Sequence, residues 1–510
     1  MKWRACRAGV ALAMLGAAAC GGTTTDPAGG STPPPPPPPP PPPVAFTVPP
    51  IAREFRGMWI ATVANIDWPS RSGLTAAQQQ AELGLLLDVA QQTGLNAVIL
   101  QVRAAGDALY PSTLEPWARV LTGTQGGDPG YDPLAFAVQQ ARLRGLELHA
   151  WFNPFRAGNL SDTARLAPSH FAVRRPDLVR RCGQLWFDPG EPAVHDQAIA
   201  VVREVVRRYD VDAVHIDDFF YPYPDVCTSF PDSATYRRYT QGGGTLSLGD
   251  WRRDNVNRFV ERLYRETHAV SPLARVGVSP FGIWRPGNPA GIVGLDAFAT
   301  IFADSRRWLQ SGWVDYFAPQ LYWSIASSGQ SFPALLDWWA QQNSMRRHLW
   351  PGLASYRIGT GVSPFNAAEI PSQVALTRAA TPASGGASGS ILYNASSVRN
   401  NLGGFATTLA GGLYASGAIP PASPWLDAAP PATPVIRVAV GTTGHTVSLS
   451  PGSADSWWYL VRWRANSVWR QRLVSIAQTT VEVPAAGVDG IVVNAVDRAG
   501  NASGDAVWRP

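Results

Sequence analysis

The fold is decided by residues 212–219, which read DAVHIDDF. Side chains along a β-strand point alternately to opposite faces, so Val214 and Ile216 share an apolar face while His215 and Asp217 share a polar one. Polar side chains at the carboxyl end of such a strand are typical of a barrel enzyme. This run therefore predicts one strand of a barrel with its chemistry at the strand ends.

Seven further runs resemble it in being short, apolar and β-branched or aromatic, at residues 55–63, 96–103, 146–153, 275–281, 314–323, 348–356 and 388–394. Amphipathic stretches lie between them, with apolar residues spaced by three and four, as one helix face requires. Asp132 before Pro133 predicts a helix start. Eight repeats over about 370 residues favour the α/β class and a closed (β/α)8 TIM barrel.

Alternation predicts the faces of other strands in the same way. In the second and third strands, Val98, Leu100, Val102, Leu148, Ala150 and Phe152 point outward to the helices. The predicted inward side chains are Gln101, Arg103, His149, Trp151 and Asn153, with Gln320 and Tyr322 on one face of the sixth strand. Polar members gather toward the carboxyl ends, which favours function over a purely structural core.

The strand ends carry a series of short motifs: FRGMWIATV at 55–63, Asn65, DWPS at 67–70, QVR at 101–103, GDALYPS at 106–112, EPW at 115–117, DPGYDPL at 128–134, HAWFNP at 149–154, HIDD at 215–218, YPYP at 221–224, SPFGIWR at 279–285, ADS at 303–305 and APQLYW at 318–323. Together they cover roughly residues 51–426 and resemble the glycosyl hydrolase-like 10 family. The resemblance implies a glycosidase-related barrel and a carbohydrate substrate, with bacterial cell-wall glycan as the leading candidate.

Glycoside hydrolysis generally needs two carboxyl groups, one of which donates a proton. Asp217 is the first candidate, and adjacent Asp218 is expected to raise its pKa by like-charge repulsion. For the partner carboxyl we choose Asp304, over the alternatives Asp107, Asp188 and Glu191. Asp304 could equally cap a helix that begins at Ser305.

Polar residues near the strand ends suit sugar hydroxyls, and aromatic faces stack on sugar rings, although aromatic residues also form ordinary core. The predicted substrate-binding residues are Trp59, Asn65, Asp67, Trp68, Arg103, Asp107, His149, Trp151, Asn153, His215, Tyr221, Tyr223, Trp284, Gln320, Tyr322 and Trp323. A metal site at His149, His215 and Asp217 is the competing interpretation. We predict no metal and no cofactor, since the chain has no His-Glu-x-x-His helix or paired Cys motif.

The amino end predicts export. Basic residues precede an apolar run at 8–19, and residues 16–20, GAAAC, resemble a bacterial lipobox with Ala17 in place of the usual Leu. We therefore predict a signal peptide at 1–19 and a lipid on Cys20, with a plain signal cleaved near Ala19 as the alternative. Eleven prolines at 33–43 would span about 34 Å within a linker at 20–50. The expected location is the cell envelope, lipid-anchored to the outer membrane and facing the periplasm.

Two cysteines, Cys182 and Cys227, remain after the signal leaves. An oxidising compartment allows them to pair, and we expect a disulfide with both residues on loops. Two unpaired buried thiols are the alternative.

The carboxyl end predicts a small all-β sandwich. A linker rich in Ala and Pro at 428–434 separates a barrel domain, 51–427, from β-rich runs at 435–440, 446–449, 457–464, 479–483 and 490–496. Residues 428–510 resemble a fibronectin type III-like domain.

The composition limits the partners. Hydrophobic residues make up 45% of the 510 and charged residues only 15%, which excludes a largely disordered chain. The net charge is +5, but the arginines are scattered, so no nucleic-acid partner is predicted. The expected partners are a cell-wall polysaccharide and, through the lipid, a membrane. Two functions remain open: a glycoside hydrolase, or an envelope lipoprotein that binds glycan without cleaving it.

Overall fold

The computed structural model describes residue 22, residues 46–380 and residues 386–510. The predicted signal 1–19, Cys20 and, apart from residues 22 and 46–50, the predicted linker 20–50 lie outside the described residues. Val48–Pro510 is one compact unit.

The strands before residue 400 are β1 (Phe55–Ile60), β2 (Ala97–Arg103), β3 (Glu147–Phe152), β4 (Arg156–Asn159), β5 (Val179–Cys182), β6 (Gln184–Phe187), β7 (Ala213–Ile216), β8 (Arg275–Val278), β9 (Tyr316–Phe317), β10 (His348–Leu349), β11 (Gly352–Leu353) and β12 (Gly389–Leu392). One parallel sheet has the order β10-β9-β8-β7-β3-β2-β1-β12-β11. His348 pairs with Tyr316 at one edge, and Gly352 pairs with Ile391 at the other. β10 and β11 are the two edge strands of this sheet, and both come from the single run predicted at 348–356. That run therefore joins the two edges, and the predicted barrel is confirmed.

The helices are α1 (Ala76–Thr93), α2 (Arg119–Thr122), α3 (Pro133–Leu143), α4 (Phe171–Arg174), α5 (Pro192–Arg208), α6 (Ser233–Gln241), α7 (Leu248–Val270), α8 (Ala297–Thr300), α9 (Ser305–Gln310), α10 (Phe332–Gln342), α11 (Glu369–Ala379), α12 (Ala395–Arg399) and α13 (Phe405–Gly411). The predicted cap at Asp132 is confirmed, because its carboxylate accepts a hydrogen bond from the Ala135 N–H at the start of α3. Within the described ranges, every helix is too short or too polar to cross a membrane.

The two faces of the barrel strands are as predicted. Val98, Leu100, Val214 and Ile216 pack among the helices in the outer core. The interior is filled instead by Phe55, Trp59, Ile99, Trp151, Tyr316 and Trp350. Arg275 and Glu147 form a buried ion pair of 2.6 Å near the amino ends of β8 and β3. The lower barrel is thus packed, and the space for a ligand lies at the carboxyl ends of the strands.

Several predicted strands were too long. The fourth run was predicted to extend to Phe219, but β7 ends at Ile216, so Asp217 and Asp218 lie in the loop that follows. The sixth run contributes only Tyr316 and Phe317 as a regular strand, and Gln320 continues it through isolated bridges. The strands end early because the loops turn over the top of the barrel, where the polar side chains meet.

A disulfide joins Cys182 and Cys227, whose Cα atoms lie 5.2 Å apart. Cys227 lies on a loop after β7, as expected. Cys182 does not, because it is the last residue of β5, in a small antiparallel sheet of order β4-β6-β5. The disulfide therefore ties this sheet, which follows β3, to the loop that follows β7.

The carboxyl-terminal strands are β13 (Val435–Ala439), β14 (Gly444–Ser450), β15 (Ser456–Ala465), β16 (Val468–Ser475), β17 (Thr480–Pro484), β18 (Val488–Asp497) and β19 (Ala506–Trp508). They form two antiparallel sheets, β13-β14-β17 and β16-β15-β18-β19, around an apolar core. The Trp457 indole N–H donates to Asp212, just before β7, at 3.0 Å. These sheets thus pack at the amino ends of the barrel strands and leave the opposite end free.

Candidate active site

A cavity of about 440 Å³ opens at the carboxyl ends of the barrel strands. Its wall combines two carboxyl groups, several polar groups and many aromatic rings. The lining residues are Trp59, Val63, Ala64, Ile66, Gln101, Trp151, Arg156, Asp217, Asp218, Phe219, Tyr223, Ser279, Gln320, Tyr322 and Tyr393. We refer to it below as the first cavity.

Asp217 is the most constrained group in this wall. Its side chain is buried, and both carboxylate oxygens accept hydrogen bonds from the Asn153 amide at 2.7 Å. The Trp151 indole N–H donates to the Oδ2 atom at 3.1 Å. Asn153 follows the end of β3 and Trp151 lies within it, so the neighbouring strand fixes the direction of the Asp217 carboxyl group.

Asp218 lines the first cavity beside Asp217 and accepts a hydrogen bond from the Tyr223 hydroxyl group. Burial raises the pKa of Asp218. Burial, followed by the negative charge of Asp218, raises the pKa of Asp217 to about 7, against the hydrogen bonds from Asn153, which lower it. Because two buried carboxylates disfavour each other's ionisation, the pair holds a proton near neutral pH.

A second layer of hydrogen bonds orients Asn153. Its amide oxygen accepts from Gln101 Nε2 at 2.6 Å, which turns its NH₂ group toward Asp217. The Gln101 oxygen in turn accepts from the backbone N–H groups of Thr62 and Val63 at 2.9 and 2.8 Å. Residues at the ends of β1, β2 and β3 therefore act together on the carboxyl group that follows β7.

Aromatic rings form much of the remaining wall. Tyr322 and Tyr393 stack with ring centroids 5.8 Å apart, and Trp59 meets Tyr393 edge-on at 6.0 Å. Half-exposed Tyr356 packs edge-on against Tyr393 at the rim. Flat aromatic faces around a polar centre suit the apolar faces of sugar rings.

The two histidines predicted for binding lie beneath the first cavity. His215 accepts from the Trp59 indole at 3.1 Å and lies 2.9 Å from the Tyr316 hydroxyl group. His149 contacts the same hydroxyl at 3.0 Å and Glu147 at 3.2 Å. Burial lowers the pKa of both imidazoles. Both ring nitrogens of each are engaged, and within the described ranges no three His, Cys, Asp or Glu side chains are grouped as a metal site requires.

Asp304, the predicted partner carboxyl, does not line the first cavity. It directly precedes α9, and its carboxylate accepts from the Trp284 indole N–H at 3.2 Å. Trp284 stacks on Trp338 and is likewise absent from the wall. The local sequence could not exclude this outcome, because Asp before a helix is common whether or not it is functional.

Other predicted binding residues have structural roles. Trp68 is buried and donates a hydrogen bond to the Gln79 carbonyl. Asp67 accepts hydrogen bonds from the Ala61 and Ser396 N–H groups. The aromatic rings pack on neighbouring rings, Tyr221 on Phe230 and Phe302 and Trp323 on Phe281. Arg103 forms a buried pair with Glu115 at 2.6 Å and donates to the Asn153 carbonyl, so it positions the site from behind. Asn65 and Asp107 line an adjoining second cavity.

Three large lining residues, Arg156, Phe219 and Tyr393, were not among the predicted substrate-binding residues. Gln101 also lines the cavity, and it was predicted to point inward but not to bind substrate. Tyr393 stands at the end of the eighth predicted strand, so the strand-end rule could have found it. Phe219 lies on a loop, for which alternation gives no direction, and Arg156 begins β4, a strand outside the eight predicted runs.

Comparison with known proteins gives consistent matches. The sequence model of a family described as Glycosyl hydrolase-like 10 matches residues 54–367. The chain is 41% identical over 408 residues to a protein named glycosyl hydrolase YngK from Bacillus subtilis (strain 168), covering 78% of this chain and 79% of the relative. It is 37% identical over 336 residues to glycosyl hydrolase DigH from Escherichia coli (strain K12), covering 61% and 76%. Among solved structures, the glycoside hydrolase domain of PgaB (BpsB) from Bordetella bronchiseptica aligns with a TM-score of 0.49 at 15% identity, over 71% of this chain and 98% of that chain.

The structural role of Arg103 is testable by a double-mutant cycle. Arg103→Met leaves Glu115 buried without its charge partner, so we expect the free energy of unfolding to fall by about 3–5 kcal/mol. Arg103→Met combined with Glu115→Leu should recover most of this loss, as measured by denaturant unfolding. A single variant that is fully stable but binds substrate poorly would instead return Arg103 to the binding residues.

Proposed function

Because the chain belongs to the glycosyl hydrolase-like 10 family, we propose that it hydrolyses glycosidic bonds of a polysaccharide in the first cavity. The observation that carries this proposal is the buried pair Asp217 and Asp218 on a wall otherwise rich in aromatic rings. A carboxyl group with a pKa of about 7 can hold a proton at neutral pH and release it to a leaving group.

In the proposed reaction, protonated Asp217 gives its proton to the glycosidic oxygen as the bond to the anomeric carbon breaks. Positive charge then develops on the sugar ring, and the Asp218 carboxylate stabilises it. A water molecule forms the new bond to the anomeric carbon and gives up a proton, which restores protonated Asp217. Burial raises the pKa of Asp218, and the hydrogen bond that Tyr223 donates opposes this rise by stabilising the charged form that this role requires. The reaction should slow above about pH 7, where Asp217 loses its proton.

We propose the glycan strands of peptidoglycan as the substrate and the cell envelope as the location. The support is the sequence of the amino end, where an apolar run leads to Cys20 and a polyproline spacer follows. A lipid on Cys20 would hold the barrel near the cell wall. The proposed location is the outer membrane, with the barrel facing the periplasm. The disulfide between Cys182 and Cys227 suits an oxidising compartment of this kind.

For the carboxyl-terminal sheets we propose a fibronectin type III-like domain that acts as a spacer or a weak glycan contact. The support is their arrangement, with three strands facing four around one apolar core. They pack at the end of the barrel opposite the first cavity, so they leave its opening unobstructed.

The alternative is a lipoprotein that binds glycan through the same aromatic wall without cleaving it. Tyr322, Tyr393 and Trp59 would serve either function equally. The two functions differ only in whether Asp217 transfers a proton, and substitution of this residue separates them.

The hydrolase is tested with purified peptidoglycan, prepared with and without stem peptides, by mass spectrometry of the released fragments. We expect wild type to release fragments, and we expect Asp217→Asn to lower the rate by about 10²–10⁴-fold because the general acid is lost. Asp304→Asn is the matched control, since its carboxylate lies outside the first cavity, and it should retain most of the activity.

Binding of glycan strands by wild type without any release of fragments would favour the binding lipoprotein. Equal activity of wild type and Asp217→Asn would remove Asp217 from the mechanism.

The lipid anchor is tested separately by Cys20→Ala in the full chain. The thioether-linked lipid requires the Cys20 thiol, so the variant should move from the membrane fraction to the soluble periplasmic fraction. Fractionation with immunoblotting measures this distribution. If both forms are equally soluble, the amino end is a plain cleaved signal.

A further inference from the structure

The second cavity, of about 270 Å³, lies directly beside the first. Val63, Ala64 and Arg156 line both, so the two share part of their walls. Their combined size falls within the range of about 300–1,000 Å³ that ligand pockets usually have. A ligand longer than one sugar residue could therefore extend from the carboxyl pair into the second cavity.

Asp107 is a buried carboxyl group in the wall of this cavity, with 8% of its surface exposed. From the part of the chain that the structure describes it accepts two long hydrogen bonds, from the Ala105 N–H at 3.2 Å and from Gln125 Nε2 at 3.3 Å. Burial raises the pKa of Asp107, against the charge of His170, which lowers it. Within the described ranges it forms no ion pair. A buried carboxylate with so few partners is poorly compensated, and additional donors would stabilise it.

Arg156 stands at the junction of the two cavities. Its guanidinium forms no hydrogen bond or ion pair with the part of the protein that the structure describes, and it lies 4.9 Å from the ring centre of Phe219. The carboxylates of Asp217 and Asp107 are close enough to raise its pKa, which burial lowers. An arginine has five N–H donors, and here they remain available to a ligand.

The two cavities differ in chemistry. Aromatic rings dominate the first, whereas the wall of the second has no aromatic side chain among its described residues. Asp107, Gln125 and Arg156 offer the second cavity both acceptors and donors. This mixture favours a neutral ligand with many hydroxyl groups over an anion, which Asp107 would repel, or a cation, which Arg156 would repel.

We propose that the second cavity is a further sugar-binding subsite, in which Asp107 and Arg156 hydrogen-bond the hydroxyl groups of the residue next to the one held at Asp217. The ligand is then a chain of at least two sugar residues that lies across both cavities. This inference rests on the proposed function, because it places the chain relative to the proposed proton donor.

The kinetic test compares a short and a long substrate. The short one is 4-methylumbelliferyl N-acetyl-β-glucosaminide, which carries a single sugar residue, and the long one is a tetrasaccharide prepared from peptidoglycan glycan strands. We expect Asp107→Ala to lower the ratio of kcat/KM for the tetrasaccharide to that for the short substrate by about tenfold. Asp107→Asn, which conserves shape, should lower it by less.

Asp128→Asn is the control, because Asp128 is exposed and bonds only the Gly130 N–H in its own turn. An unchanged ratio in both Asp107 variants, or the same change in Asp128→Asn, would overturn the subsite. If Asp107→Ala fails to fold, Asp107→Asn decides the outcome.

A calorimetric arm separates the subsite from the reaction. Binding of the tetrasaccharide is measured in Asp217→Asn and in Asp217→Asn with Asp107→Asn, neither of which is expected to turn it over. Weaker binding of the tetrasaccharide in the double variant supports the subsite even if wild type hydrolyses neither substrate. The absence of hydrolysis would reject only the proposed function. Equal binding, or no binding to either, rejects the subsite.

Discussion

The hydrogen bonds from Asn153 to Asp217 connect the architecture of the barrel to its chemistry. Asn153 can direct its NH₂ group at Asp217 only because Gln101 holds its oxygen and Arg103 holds its backbone carbonyl. These contacts bring together residues from the ends of β2 and β3 and the loop after β7, and they depend on neighbouring parallel strands whose register shifts between Gln101 and Arg103. The pairing of β2, β3 and β7 and the direction of the Asp217 carboxyl group are therefore one constraint.

Period-two alternation was enough to predict the faces of the strands and much of the first cavity. Trp59, Trp151, Gln320 and Tyr322 all line the cavity as the sequence indicated. Among the predicted residues that do not line the cavity, Trp284, Asp304 and Tyr221 lie on loops, whereas His149, His215 and Arg103 lie on strands. A loop residue has no fixed direction before the fold exists, and an aromatic ring or an Asp in a loop serves packing or capping as readily as binding.

The site also combines opposing electrostatic effects in a small volume. Burial, followed by the charge of Asp218 beside it, raises the pKa of Asp217, while the positive charge of Arg156 opposes this rise. The lower barrel is neutral by comparison, since Glu147 pairs with Arg275 and burial lowers the pKa of His149 and His215. Asp217 and Asp218 thus face the ligand end of the barrel, where the proposed proton transfer takes place.

Asp217 is the proposed carrier of a proton near neutral pH. Its titration can be measured by ¹³C NMR of protein labelled at the aspartate carboxyl carbons, with Asp217→Asn used to assign the signal. We predict a midpoint near pH 7, which should move lower in Asp218→Asn because the repelling charge is removed. A midpoint near pH 4, the ordinary value for an aspartate, or no response to Asp218→Asn would contradict this account.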